Sequence, residues 1–411
     1  MTKSFIFLLI KKHSGEIDWI LPILHKIDNR IRLVTFFNDK DAYNSLLSNK
    51  TLYLLWKSRS YKFIFLKNKK NLFFRLVYRT IVCLKIFKTL ENKVLMKIYN
   101  IDAFCHKLKI EKSLIKACFL TFNNYSFFSQ IIKNNNSKSL IIRYPESTLP
   151  LIPNFQLPKN FRPYSRLYSD VSLFSKKFEP LAIYNKEDLK NKKILYSGYP
   201  RYEYWWVKKF FKNRNKKINK KTFSIFVASR SLDEATYQNK KAFKPNSDNY
   251  IHTSIMNIAM KLNNAEVIFK THPNTKNKTY LHKILKLYPK QKWKIIDDHA
   301  LTLSAQSDIS ISVFTSASLD CLAAKRPTIE FVKFDKTIQQ TIYQKESKKN
   351  ISIFSHLKLL KSVDNFIDLK KFIIHHYNND ALFKEDKKIK KYFYSDFDSK
   401  KIANFIQKNI T

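Results

Sequence analysis

The stretch "ISISVFTSASLDCLAAKRPTIEFV", residues 309–332, decides the fold. Its first residues, 309–313, alternate apolar and small side chains and read as a strand. Thr315, Ser316 and Ser318 break that run and open a helical pattern over 316–325. Pro327 then starts a second apolar run, "PTIEFV", 327–332. Strand, helix and strand in direct succession make a crossover unit, which pairs its strands in parallel.

The same alternation runs outward from it. Upstream, strands are expected at 222–229, 265–270 and 293–297, with helices at about 250–262, 279–287 and 301–307. In the first half, strands are expected at 4–10, 31–37, 51–55, 62–66, 117–121, 139–143, 171–174 and 192–198. Helices fall between them, notably at 16–28 and 72–98. The run "VKKFFKNRNKKINKK", 207–221, has few apolar anchors and reads as a linker or a solvated surface. "SKKIANFIQKNI", 399–410, reads as a terminal amphipathic helix. The expected class is α/β. A Rossmann-like domain covers 1–205, a basic linker 206–221, a second Rossmann-like domain 222–385 and a helical tail 386–411. Two such domains facing a cleft suggest a GT-B-type architecture. In open parallel sheets ligands sit beyond the carboxyl ends of the strands, so candidate residues are sought there.

Composition narrows the classes. The chain has 411 residues, more than one hydrophobic core usually serves. With 44% hydrophobic and 15% aromatic residues it can bury real cores, which excludes wholesale disorder. Lys and Arg number 77 against 32 Asp and Glu, a net charge of +45. Three readings of that charge stand: compositional bias spread along the whole chain, attraction to an anionic membrane, and nucleic-acid binding. No zinc-finger, RRM or KH signature supports the last, so no specific nucleic-acid partner is expected. The four cysteines lack CxxC spacing, so neither a disulfide framework nor a zinc site is indicated, and a reducing cytoplasm fits. The apolar run Phe5 to Ile10 is too short for a signal peptide and reads as a buried strand. No run reaches the roughly 20 apolar residues that span a bilayer. "LFFRLVYRTIVCLKIF", 72–87, is broken by Arg75, Arg79 and Lys85, as in a helix lying on a membrane or packed with snorkelling cations. Only two glycines occur, Gly15 and Gly198, which excludes a P-loop and a GxGxxG loop. A bound nucleotide would be held by side chains and helix N-termini.

Four segments carry chemistry. In "VIFKTHP", Lys270, Thr271 and His272 follow a strand directly, and Pro273 fixes the turn. A lysine charge and an imidazole donor suit a phosphate oxygen. In "FTSASLD", Thr315, Ser316 and Ser318 sit at the start of a helix, where hydroxyls and free amides make an anion site without glycine. In "FVASRSLDEA", Ser229, Arg230 and Ser231 could reach the same phosphates, and Asp233 and Glu234 would open a helix. Glu330, within the last strand of the opening stretch, belongs to the candidate donor-side set. In the first half, "HSGEIDWILPIL" places Glu16 and Asp18 after the first strand, and "RYPEST" places Glu146 after a later one. Any of the three carboxylates could act as general base toward an acceptor hydroxyl. "SGYPR", 197–201, ends that half and shapes the hinge.

The "KTHP" unit followed by "SDISISVFTSASLDCLAAKRPTIEF" resembles the C-terminal half of bacterial surface-polysaccharide glycosyltransferases. It is similar to capsule and lipopolysaccharide Kdo transferases and to bacterial sialyltransferases, which share an HP motif and a later Ser-Ser/Thr motif. Wall teichoic acid glycerophosphotransferases, which use CDP-glycerol, also resemble this half. The resemblance spans roughly residues 195–335 and only loosely the first half. It implies a transferase; the sequence shows no DxD between apolar strands, so a metal-independent mechanism without cofactor is expected, with phosphate charge met by Lys270, His272, Arg230 and the helix dipole. Lys270 and His272 would contact the donor phosphate, Thr315, Ser316 and Ser318 would cradle it, and a first-domain carboxylate would be the base. The partners it implies are a CMP- or UDP-sugar donor and a glycan or lipid-linked acceptor. The setting it implies is the cytoplasm, with contact to the inner membrane face. Two departures stand out. No acidic pair precedes either glycine, where sialyltransferases carry their acidic motif. Pro145-Glu146-Ser147 occupies a loop that reads Pro-His-Gly in many relatives.

Overall fold

The computed structural model describes residues 4–66, 101–122, 128–129, 132–133, 136–145, 169–177, 179–180, 193–211, 222–233, 236–237, 240–241, 243–272, 279–334, 341–344, 349–379 and 399–410. The expected helix at 72–98, Glu146, Pro273 and residues 212–221 lie outside them.

The first half opens with β1 (Phe5–Ile10), α1 (Gly15–Leu24), β2 (Arg32–Phe37), α2 (Lys40–Leu47), α3 (Lys50–Arg59) and β3 (Ser60–Phe65). It continues with α4 (Ile101–Leu108), β4 (Ile115–Thr121), β5 (Leu140–Tyr144), β6 (Val171–Phe174) and β7 (Lys193–Tyr196). The seven strands form one sheet in the order β3-β2-β1-β4-β5-β6-β7, every pair parallel. β1 is buried along its whole length. Ile6, Leu8 and Ile10 join one apolar cluster and Phe5, Phe7 and Leu9 another, as a central strand covered on both faces requires.

The chain then passes through the turn Pro200–Tyr202 and α5 (Tyr204–Phe210) into the second half. There follow β8 (Phe223–Ser229), the short strands β9 (Thr236–Tyr237) and β10 (Lys240–Lys241), α6 (Ser247–Met260), β11 (Ala265–Thr271), α7 (Thr279–Leu285), β12 (Trp293–Ile295) and α8 (Ala300–Gln306). Next come β13 (Ile309–Ser312), α9 (Ala317–Ala323), β14 (Thr328–Phe331), a hairpin of β15 (Thr341–Gln344) and β16 (Lys349–Ser352), α10 (Ile353–His356), β17 (Lys361–Val363) and α11 (Phe366–Asn378). The second sheet is β12-β11-β8-β13-β14-β17, again all parallel. The class is therefore α/β with two Rossmann-like sheets. In each sheet the strand order reverses beside the first strand, between β1 and β4 and between β8 and β13. Those are the positions where open sheets leave a crevice.

Three local expectations are corrected. Residues 51–55 are not a strand. Asn49 accepts the Leu52 N–H and caps α3, and Leu52, Trp56 and Arg59 are buried at helical spacing. Residues 206–210 are not linker: α5 buries Trp206, Val207 and Phe210. Asp233 does not open a helix. Its carboxylate accepts the Ser247 N–H across a loop, at the start of α6.

The last helix, α12 (Ser399–Ile410), returns to the first half. Ile402, Ala403, Ile406 and Ile410 share an apolar cluster with Ile17, Ile20 and Leu24 of α1 and with Trp206 and Phe210 of α5. The same cluster takes in Leu319, Leu322 and Ala323 of α9 and Leu301 of α8, so one core bridges the two sheets. No helix among the described residues is long and apolar enough to cross a membrane.

Candidate active site

A cavity of about 550 Å³ opens between the two sheets. The first half contributes the β1–α1 loop (Lys12, His13, Ser14, Gly15), Asp18 of α1, and the polar side chains Asp41, Asn44, Ser45 and Ser48 along α2 and its end. The second half contributes Lys270, Thr271 and His272 at the end of β11, Asp297 and His299 after β12, and Thr315, Ser316 and Asp320 around the start of α9. Arg201 lies at the base, from the turn that joins the halves.

Of the candidates read from the sequence, the structure brings Asp18, Lys270, His272, Thr315 and Ser316 to this cavity. Thr315 Oγ1 accepts the Ala317 N–H, while Ser316 makes no capping bond. The turn that presents them is strained, since Phe314 holds φ at 45° without being glycine. Phe243 and Phe334 hold the Phe314 ring in place, at 5.1 and 5.5 Å between centroids. A sequence with two glycines fixes this strand-to-helix turn by packing instead.

His272 is pushed down to about 3, first by burial and then by the charges of Arg230, His13 and Lys270. It is neutral at physiological pH, and its ring offers one donor and one acceptor. Arg230 is close enough to act on His272, and its guanidinium lies 5.3 Å from the Phe314 ring centroid, but it does not line the cavity.

The other candidates point elsewhere. Glu16 accepts the Lys11 and Lys12 amides at 2.8 and 2.7 Å and is fully buried, so it shapes the loop and does not face the cleft. Ser318 donates to the Thr315 carbonyl within the first turn of α9. Ser229 stands 2.7 Å from His252 Nε2 and 2.6 Å from the Tyr280 hydroxyl, and Ser231 donates to Asp248. Neither serine is turned to the cleft. Glu330 is buried in β14, where desolvation pushes it up to about 7 against the pull of the Ser352 and Ser362 hydroxyls. Sheet register puts it opposite Ser362 of β17, inside the sheet.

The sequence reading missed the partners that Asp18 finds at the cavity base. Arg201 places one guanidinium nitrogen 2.6 Å from Asp18 Oδ2 and 2.6 Å from Asp320 Oδ1. His299 Nδ1 accepts the Leu301 amide, so its Nε2–H donates to Asp18 Oδ2 at 2.9 Å. Asp18 Oδ1 is buried with no hydrogen-bond partner among the described residues. Burial pushes the Asp18 carboxyl up, but Arg201 and His299 together pull it below the usual range. For Asp320 burial wins over Arg201 and its carboxyl is raised. Two carboxyls on one guanidinium are thus driven apart, one ionised and one drawn toward protonation. The tie also joins the halves, since Asp18 belongs to the first and Asp320 and His299 to the second. Only "SGYPR" hinted at it, through the hinge expected there. Gly198 sits at φ 62°, which glycine alone takes freely.

No protein family's sequence profile matches the chain, and no curated protein is similar to it in sequence. Solved structures do share its fold. UDP-GlcNAc 2-epimerase from Methanocaldococcus jannaschii superposes with a TM-score of 0.57 at 13% identity, over 98% of this chain and 99% of that one. The UDP-GlcNAc 2-epimerase of Neisseria meningitidis, bound to UDP-GlcNAc, gives 0.56 at 10% identity, over 98% and 100%. A structure described as the glycotransferase of kitacinnamycin gives 0.54 at 8% identity, over the whole of both chains. At these identities the likeness is one of fold: two Rossmann-like domains in the GT-B-type arrangement, over the full length.

Proposed function

We propose that this chain is a glycosyltransferase that moves a sugar from a nucleotide-activated donor to a surface glycan or lipid-linked acceptor. The observation that carries the reading is the cavity between the sheets. One wall offers Lys270, His272, Thr315 and Ser316, and the other offers Asp18, whose Oδ1 has no hydrogen-bond partner among the described residues. On this reading the acceptor hydroxyl loses its proton to Asp18 Oδ1 as its oxygen bonds to the sugar. The bond from the sugar to the donor phosphate breaks, and the nucleotide leaves with its charge met by Lys270 and by hydrogen bonds from His272, Thr315 and Ser316. Arg201 keeps Asp18 ionised but also weakens it as a base, so proton transfer accompanies bond formation. Glu146 stays a second base candidate on the sequence alone. The reading is metal-independent, with positive side chains in the place of a cation, and peripheral to the inner membrane face.

The test is a thermal-shift screen with CMP, CDP, UDP and GDP, followed by transfer assays with the stabilising nucleotide's sugars. Stabilisation by one base alone selects the donor, and no stabilisation by any sinks the site. His272→Ala is expected to lower transfer at least about 100-fold with an unchanged melting temperature. Full activity in that variant removes His272 from the site.

A second reading is an epimerase acting on a UDP-sugar. It is favoured by the neighbouring Asp18 and Asp320 carboxyls, one held ionised and one drawn toward protonation, and by the full-length likeness to the two epimerases. Incubation with UDP-GlcNAc and no acceptor separates the readings. A C2-epimeric product seen by NMR supports the second, and an inert donor that reacts only when acceptor is added supports the first. Added glycerophosphate mass on the acceptor would point instead to CDP-glycerol transfer.

A further inference from the structure

Helix α5 has two sides. Trp206, Val207 and Phe210 face inward and are buried. Outward, two pairs are set four residues apart. Lys208 lies 4.3 Å from the ring centroid of Tyr204, and Lys209 lies 5.2 Å from that of Trp205. Lys26, just past α1, adds a second ammonium 3.9 Å from the Trp205 ring. Tyr204 is 63% exposed. Glu203, the carboxylate beside them, is already taken up. It accepts from the Ser399 N–H at 2.9 Å, the Ser399 hydroxyl at 2.7 Å and the Trp205 indole N–H. The result is a short aromatic ridge, Tyr204 exposed and Trp205 half-buried against the core, flanked by the exposed Lys26 and Lys208 and the half-buried Lys209, with its neighbouring acid engaged.

We infer that this ridge of α5 is where the protein rests on an anionic lipid bilayer. Tyrosine and tryptophan favour the headgroup level of a membrane, where an apolar ring and a polar edge are both accommodated. The lysines beside them supply the positive charge that anionic headgroups attract. A nucleic acid fits less well, because stacking needs open ring faces, and here ammonium groups lie over them. The position also matters. α5 follows directly on Arg201 and Tyr202, so docking through it sets the cavity base beside the lipid surface. This deepens the peripheral part of the proposed function and leaves the cleft chemistry untouched.

The test is co-sedimentation of the full chain with phosphatidylcholine vesicles, with and without phosphatidylglycerol, at about 0.15 M salt. The unaltered chain is expected to bind only the anionic vesicles. Lys208→Ala/Lys209→Ala is expected to weaken binding about 25-fold, at about fivefold per lysine near such a surface. Tyr204→Ser, an exposed change that leaves the core intact, is expected to weaken it further. A control of equal charge, Lys361→Ala/Lys371→Ala on exposed positions of the second half, is expected to change binding less than about twofold, because distant charges are screened. Equal losses from both double variants would mean that net charge alone binds the vesicle, and would overturn the ridge. No binding by the unaltered chain overturns the ridge and the peripheral reading together, while the nucleotide screen judges the cleft separately. If Tyr204→Ser weakens single-stranded DNA binding as much as vesicle binding, the ridge belongs to nucleic acid and the inference fails.

Discussion

His272 reads as a phosphate ligand in the sequence, and the structure places it on the cavity wall with a neutral imidazole. Its unfolded value is 6.5 and its folded value about 3. Between those limits the unfolded chain binds the extra proton, so this residue lowers stability as pH falls from about 6.5 toward 3. His25, held near 4 chiefly by burial, acts in the same direction. His272→Gln is therefore expected to flatten the decline of melting temperature between pH 7 and 4, and an unchanged slope would refute the shift. Glu330 works the opposite way. With an unfolded value of 4.5 and a folded value of about 7, it holds a proton that the unfolded chain has lost, so stability drains as pH rises through that window. Glu330→Gln should gain on the parent from pH 5 to 8, and equal melting temperatures throughout would count against the buried carboxyl. Arg201 is the costliest single position. Arg201→Met leaves two buried carboxyls without their cation and is expected to cost about 3–5 kcal/mol, part of which Asp320→Asn restores. Denaturant midpoints measure both. Lys270, His272, Thr315 and Ser316 were legible because each lies at or just past the end of a strand in a run of recognisable types. Arg201, Asp320 and His299 were not. They are far apart along the chain, and nothing in local pattern pairs residue 18 with residue 320.

At the level of elements, strand identity was read from apolar runs, and most of them hold. β1, β2, β4, β8 and β11 fall within a residue or two of their expected limits. The run at 51–55 failed because a short apolar stretch does not reveal its period, and the deciding signal was the cap at Asn49. Residues 206–210 of α5 were read as linker because they run into the lysine-rich stretch 207–221, while the three buried residues of the helix sit at helical spacing. α12 was recognised as amphipathic, but its partner was out of reach of sequence reasoning. That partner is α1. Ile406→Ala at the α1 contact is expected to cost about 2–5 kcal/mol. If limited proteolysis of this variant cuts the second half before the first, the packing assignment is wrong.

The molecule as a whole is two sheets sharing one apolar cluster and one ionic tie. A hydrophobic bridge of this kind makes the halves lean on each other, where polar interfaces let domains move and melt separately. A single calorimetric transition is expected for the parent, and two transitions for Arg201→Met combined with Leu319→Ala. Two resolved transitions in the parent would show that the halves are independent. The path of α12 has a further consequence, for the order of synthesis. The side of α1 that α12 covers is translated well before its cover, with every strand of the second sheet in between. While the ribosome is still translating, β8 to β17 can close their own sheet, and α1 waits with isoleucines and leucine open to solvent. That face of α1 is thus closed only after the second sheet is made, and a nascent chain stalled before residue 399 would present it to chaperones.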